Sequence, residues 1–161
     1  MPGKKMIQIR KATIEDIPSI TQLFKETIET INSKDYNEEQ VKVWSAGYAY
    51  TDRWVKRLYT QYFIVAIVDE VIAGIGSIDP DGYLDIMYVH KDYQGRGVAS
   101  ALIDELLTNA VSNNVAAVTS DVSITAKPFF ERNGFITEAR QEIMINNVYL
   151  TNYKMKLRFN G

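Results

Sequence analysis

Six consecutive residues, Gln94-Gly95-Arg96-Gly97-Val98-Ala99, carry the clearest chemical signal in the chain. They stand between a β-rich segment and the most regular apolar periodicity of the sequence. The first four N–H groups of a helix have no partner within it, and the helix dipole adds partial positive charge there. Glycines at 95 and 97 let an anion approach the backbone closely, and Arg96 adds charge at the rim. This is the chemistry of a phosphate or pyrophosphate site. A surface loop that needs its glycines only for turning accounts for the hexapeptide equally well. No Gly-Lys-Ser/Thr follows, so it is not a Walker loop, and the glycine spacing is not that of the dinucleotide fingerprint.

Composition closes off other chemistry. Of 161 residues none is cysteine and one, His90, is histidine. A Cys nucleophile, a disulfide scaffold, a Cys-ligated metal and a multi-histidine metal site within one chain are excluded. Hydrophobic residues at 46% and charged residues at 24% are those of an ordinary globular protein, and the length fits one domain over residues 1–161. The net charge of −2 gives no reason to expect nucleic-acid binding. The opening Met-Pro-Gly-Lys-Lys has no apolar stretch behind it, so no secretory signal is expected. The longest apolar run, residues 62–68, is far short of the roughly 20 residues that span a membrane. No membrane association and a cytoplasmic location are expected.

The elements that must position the loop can be read from periodicity and turn chemistry. Alternation around Ile7 and Ile9 gives a first strand. Thr13 and Asp16 have near capping-box spacing ahead of Ile17, Ile20, Phe24, Ile28 and Ile31, an amphipathic helix. Short helices are predicted over 37–44 and 52–59, with residues 47–50 a loop between them. Strands follow over 61–68, 71–78 and 83–89, joined by the turn residues Asp69-Glu70 and Pro80-Asp81-Gly82. The helix is predicted over 95–111, with Val98, Leu102, Ile103, Leu106, Leu107, Ala110 and Val111 on its apolar side. A strand over 115–122, a short helix over 126–132 stopped by Asn133-Gly134, and a hairpin over 135–145 and 148–159 around Asn146-Asn147 complete the order. This is an α/β domain with a mixed sheet: short turns early on imply antiparallel pairing, and the long helix implies a parallel crossover.

Residues 88–99, from Tyr88-Val89-His90 through the glycine loop to Ala99, resemble the acetyl-coenzyme A signature of the GNAT superfamily of N-acetyltransferases, with its Gln/Arg-x-x-Gly-x-Gly/Ala core. Residues 126–135, with the run Phe129-Phe130-Glu131-Arg132-Asn133-Gly134-Phe135, resemble the family's later motif. Residues 35–40 and 151–155 are similar to the bacterial YafP-like branch. The resemblance implies one central, mainly antiparallel sheet of about seven strands, flanked by helices and splayed between the fourth and fifth. It implies acetyl-CoA as donor, with no metal, and direct attack by a small-molecule or protein amine. Backbone groups of Met87, Tyr88 and Val89 would pair with the pantetheine arm, and an N–H near Met87 or Tyr88 would polarise the thioester carbonyl. The pyrophosphate would sit on the N–H groups from Gly95 to Ala99, with Gln94 and Arg96 in the same loop.

The chain departs from that pattern in its acid–base groups. The usual tyrosine of the late motif is Phe130, which has no proton to give, and the usual asparagine is Ser123. The usual fourth-strand carboxylate position is Tyr83, with Asp85 two residues on and on the same face by strand alternation. Asp85 as base, and Tyr83 or Tyr88 as acid, are the substitutes; each also reads as an ordinary strand residue. Asp121 is a further candidate, and His90 reads better as a surface residue. Asp35, Tyr36, Trp44, Tyr48, Tyr50, Trp54, Tyr149 and Tyr153 fall in the regions that meet the acceptor, where aromatics suit an amine cation, although Trp44 and Trp54 equally suit packing. A non-catalytic acetyl-CoA-binding or partner-binding module is the alternative that Phe130 keeps open. Both monomer and homodimer are compatible with the sequence.

Overall fold

In the computed structural model, which describes residues 6–159, the order is β1 (Gln8–Lys11), α1 (Ile17–Thr30), α2 (Glu38–Ser45), α3 (Thr51–Thr60), β2 (Tyr62–Val68), β3 (Val71–Ile78), β4 (Leu84–Val89), α4 (Val98–Ser112), β5 (Ala117–Ser123), α5 (Lys127–Arg132), β6 (Ile136–Ile145) and β7 (Val148–Arg158). The segment 1–5, read above for targeting, lies outside the described residues. The loop expected over 47–50 falls largely in a 3-10 turn over Ala46–Ala49. No helix among the described residues is long and apolar enough to cross a membrane.

The strands do not form the single seven-stranded sheet expected. They form an antiparallel sheet of four, in the order β1-β2-β3-β4, and another of three, in the order β5-β7-β6. The edges β4 and β5 meet in one parallel bridge, Tyr83 to Thr119. Thr119 N donates to Gly82 O at 3.0 Å, and the buried Ser120 hydroxyl donates to Leu84 O at 2.7 Å. Beyond that vertex no further pairing joins the two strands, and the sheet parts there.

Local sequence explains the turns. Asn146 and Asn147 both have positive φ, 46° and 65°, as do Asp69 and Glu70 at 53° and 64°. These are the left-handed conformations a two-residue hairpin needs, and asparagine and aspartate tolerate them. The α4 helix starts at Val98 and not at 95, because Gly95 and Gly97 stand at φ 72° and 84°, outside the helical well. Its buried face is Val98, Leu102, Ile103, Leu106 and Ala110; Val111, one residue off that stripe, is exposed. Each of the larger side chains contributes roughly 1.5–3 kcal/mol on burial.

Two cores result, one on each face of the four-stranded sheet. Val98, Leu102, Ile103 and Leu106 pack with Ile64, Leu84, Val122, Phe130 and Met155 on one face. Ile20, Phe24, Ile28 and Trp54 pack with Phe63, Ile75 and Ile86 on the other. A Cβ on Gly74 would come within 2.6 Å of Val98 Cγ1 and 2.8 Å of Leu102 Cδ1, so the bare glycine lets α4 lie close against β3.

Candidate active site

A cleft of about 960 Å³ runs through the parting between β4 and β5 and reaches both faces of the sheet. Its walls come from β4, the loop into α4, β5, α5, the α1–α2 region and the β6–β7 hairpin.

At the α4 end the groups that face the cleft are backbone. The first α4 hydrogen bond runs from Ala101 N to Gly97 O at 3.1 Å, which leaves the N–H groups of Val98, Ala99 and Ser100 without a helical partner. A Cβ on Gly95 would meet nothing within 4 Å, and one on Gly97 only Ile7 Cδ1 at 4.0 Å, so the cradle is open to a ligand. Arg96 lies with its guanidinium 5.1 Å from the Tyr93 ring centroid. Gln94 does not point its amide at the open space: Nε2 donates to Val89 O at 2.7 Å and holds the loop to the strand. Thr27 Oγ1 donates to the same carbonyl at 3.1 Å. These residues fit an anion such as a pyrophosphate.

Along β4, His90 N donates to Ala73 O, and Tyr88 is registered with Ile75. By the alternation of an antiparallel ladder, Tyr88 turns its backbone groups to β3, and Met87 and Val89 turn theirs to the cleft. The pairing skips one residue, from Ser77–Ile86 to Ile78–Leu84, and the residue left over is Asp85. This bulge puts Leu84 in the α4-side core and Ile86 in the α1–α3-side core, although residues two apart in a regular strand share a face. The carboxylate of Asp85 reaches toward α3, where Oδ2 accepts from Arg57 Nε and from Gln61 Nε2, both at 2.9 Å. Asp85 lines the cleft.

The other side chains expected at a site divide between the cleft and the remainder of the fold. Tyr88 lines it, with Phe24 at 5.1 Å and Trp44 at 6.4 Å between ring centroids. Burial pushes the Tyr88 phenol well above the usual tyrosine range, an effect the neighbouring Trp44 indole partly offsets. Tyr83 is not among the cleft-lining residues; its hydroxyl donates to Asp121 Oδ2 at 2.7 Å, and burial, then that hydrogen bond, raise its pKa. Ser123 lines the cleft while its Oγ accepts from Ala126 N at 3.1 Å, capping the turn into α5. Phe130 lines it from within the core, against Phe129 and Phe135. His90 lies outside it, with Nδ1 accepting from Asp92 N.

Of the residues expected to meet the acceptor, Tyr36 and Trp44 line the cleft. Tyr36 is buried; its hydroxyl accepts from Ile124 N at 2.9 Å and donates to Thr151 O at 2.6 Å. Asp35 accepts from Thr125 Oγ1, Trp54 is core, Lys127 covers the Tyr153 ring, and Tyr48, Tyr50 and Tyr149 are exposed. Sequence reasoning missed Arg57, Gln61, Gln141 and Asn152. Only Asn152 left a trace, as a polar residue at an inward position of β7 between Leu150 and Met155.

Residues 32–157 match the family model described as an acetyltransferase (GNAT) domain. The chain is a GNAT-family acetyltransferase. The GNAT domain is 32% identical over 152 residues to the uncharacterized N-acetyltransferase YafP of Escherichia coli strain K12, spanning 94% of this chain and 96% of that protein. Its fold matches a GCN5-related N-acetyltransferase from Rhodopseudomonas palustris at 30% identity, 99% of each chain covered and a TM-score of 0.92. The GNAT fold recurs in the PaiA N-acetyltransferase of Thermoplasma acidophilum, whose structure is a complex with coenzyme A; there the identity is 17%, the coverage 96% of this chain and 99% of that one, and the TM-score 0.79. Among the described residues no group of His, Cys, Asp and Glu is placed to hold a metal ion.

Proposed function

We propose that this GNAT domain is an acetyl-CoA-dependent N-acetyltransferase acting on a primary amine. The observation that carries it is the glycine cradle at the start of α4 opening into the same cleft as the free edge of β4. The N–H groups of Val98, Ala99 and Ser100, with Arg96 beside them, hold the pyrophosphate. Met87 would pair with the pantetheine arm through its backbone and Val89 through its N–H, its carbonyl being taken by Gln94 and Thr27, and Met87 N–H would face the thioester oxygen as it gains charge. When bound, acetyl-CoA supplies the activated thioester: the amine nitrogen forms the new C–N bond, the C–S bond breaks, and coenzyme A leaves.

Two protons must move. The ammonium form of the acceptor loses one before attack, and the leaving sulfur takes one up. Asp85 takes the first through Oδ1, which makes no hydrogen bond among the described residues, while Arg57 and Gln61 hold Oδ2. Tyr88 supplies the second. Burial holds the Tyr88 phenol in its protonated form, so it has a proton to give. Tyr88 thereby stands in for the tyrosine that Phe130 lacks. Tyr83 acts on Asp121 and not on the reacting atoms.

Isothermal titration with acetyl-CoA tests the donor half, and absence of binding sinks the proposal. Thiol release with a panel of primary amines tests turnover; release without acetylated amine would show hydrolysis instead.

A further inference from the structure

We infer that Asp121 docks the ammonium group of the acceptor, and that the acceptor is a primary amine on an apolar or aromatic body with no carboxylate of its own. This rests on the acetyltransferase reading above. Asp121 stands two residues beyond Thr119 on β5, as Asp85 stands two beyond Tyr83 on β4, and Tyr83 and Thr119 are the bridged pair at the vertex. Val118 and Val122 belong to the α4-side core, so Asp121 between them faces the α1–α3 side, the side to which Asp85 is turned. Both carboxylates therefore flank the opening of the cleft on the face opposite the anion loop.

The two carboxylates are not equivalent. Asp85 has a cation against it, Arg57 Nε at 2.9 Å. Asp121 is held by neutral donors alone: Tyr83 hydroxyl to Oδ2 at 2.7 Å and Gln141 Nε2 to Oδ1 at 2.9 Å. Its cross-strand neighbour Lys154 is exposed and makes no ion pair with it among the described residues. Tyr83 keeps its proton because burial and the Asp121 carboxylate both raise its pKa. The result is an oriented anionic group that makes no ion pair among the described residues.

The surroundings set the rest of the ligand. Tyr36, Trp44, Tyr88, Ile143 and Leu150 all line the cleft. Arg132 is the one basic residue among the described residues lining the cleft, and it lies on α5 against Phe129. An amino acid would bring its carboxylate beside Asp85 and Asp121. Apart from Arg132 no cleft-lining residue among the described residues is basic, Arg57 is already paired with Asp85, and only the exposed Lys154, outside the lining, could offset that charge.

The test is titration of 2-phenylethylamine and of phenylalanine, which differ by one carboxylate, into the wild-type protein saturated with coenzyme A. Binding of the amine at least about 30-fold tighter than the amino acid is expected. In Asp121→Asn, affinity for 2-phenylethylamine should fall at least about tenfold, with coenzyme A affinity unchanged. Equal affinities for the two ligands, no binding of the amine, or an unaltered Asp121→Asn would each overturn the inference while leaving the donor site standing. The wild-type comparison holds even where the variant fails to fold. Failure of coenzyme A itself to bind would overturn the acetyltransferase reading, and this inference with it.

Discussion

At the α4 end of the cleft the groups that face the open space belong to the backbone: N–H groups released by the helix start, and a loop whose glycines stand at positive φ. At the other end they are side chains drawn from five different elements: Asp85 and Tyr88 of β4, Asp121 of β5, Trp44 of α2, Leu150 of β7 and Ile143 of β6. The first end needs only that no side chain intrude, so it tolerates almost any sequence around a few glycines. The second end depends on every residue that lines it. A common donor and a private acceptor would require this division of the site.

The sharpest way to break the comparison is to fill the backbone end. Gly97→Trp places a large side chain in the open cradle and forces a non-glycine residue to φ 84°. Coenzyme A binding should weaken by about 100-fold or more, roughly 2.7 kcal/mol, in a titration. Affinity within a few-fold of wild type would move the donor site elsewhere.

The next effect is expected at the side-chain end. Tyr88→Phe keeps the ring that packs on Phe24 and removes only the proposed proton donor. Turnover should fall about 100-fold with coenzyme A affinity unchanged. The sign of the pH dependence follows from burial. A tyrosine whose pKa is raised above its ordinary value of about 10 stays protonated longer as pH rises. The rate should therefore show no descending limb from this group below about pH 10. A wild-type rate lost near pH 8, and retained in Tyr88→Phe, would assign the acid elsewhere.

The backbone end was legible because it is local. Gly95, Gly97 and the apolar stripe of α4 are contiguous, and the same is true of the Asn146-Asn147 turn. What was not legible depends on pairing between distant segments. The break into two sheets turns on one bridge, Tyr83 to Thr119. The bulge at Asp85 is a register event between β3 and β4, and nothing in the composition of either strand announces it. Arg57 and Gln61 meet Asp85 only because α3 folds back over the sheet, so an exposed-looking strand aspartate turned out to be anchored. Gln94 matched its motif by type yet spends its amide on Val89 O, because the loop has to be tied to the strand before it can hold anything.

The smallest expected effect separates support from chemistry. Tyr36 lines the acceptor end beside Trp44, and its position alone would suit a proton donor. Its hydroxyl already donates to Thr151 O and accepts from Ile124 N, joining the α1–α2 connection to β7 and to the start of the β5–α5 turn. Tyr36→Phe removes both bonds and leaves a buried N–H and a carbonyl to find other partners. Stability should drop by about 1–3 kcal/mol, read as a melting temperature lower by about 2–4 °C per kcal/mol for a chain of this size. Turnover measured well below the new melting temperature should change by less than about threefold, and its pH profile should keep its shape. A large loss of turnover in a variant that melts like wild type would reverse the assignment: the proton Tyr36 gives to Thr151 would then be the one the leaving sulfur needs, and Tyr88 would be the packing residue.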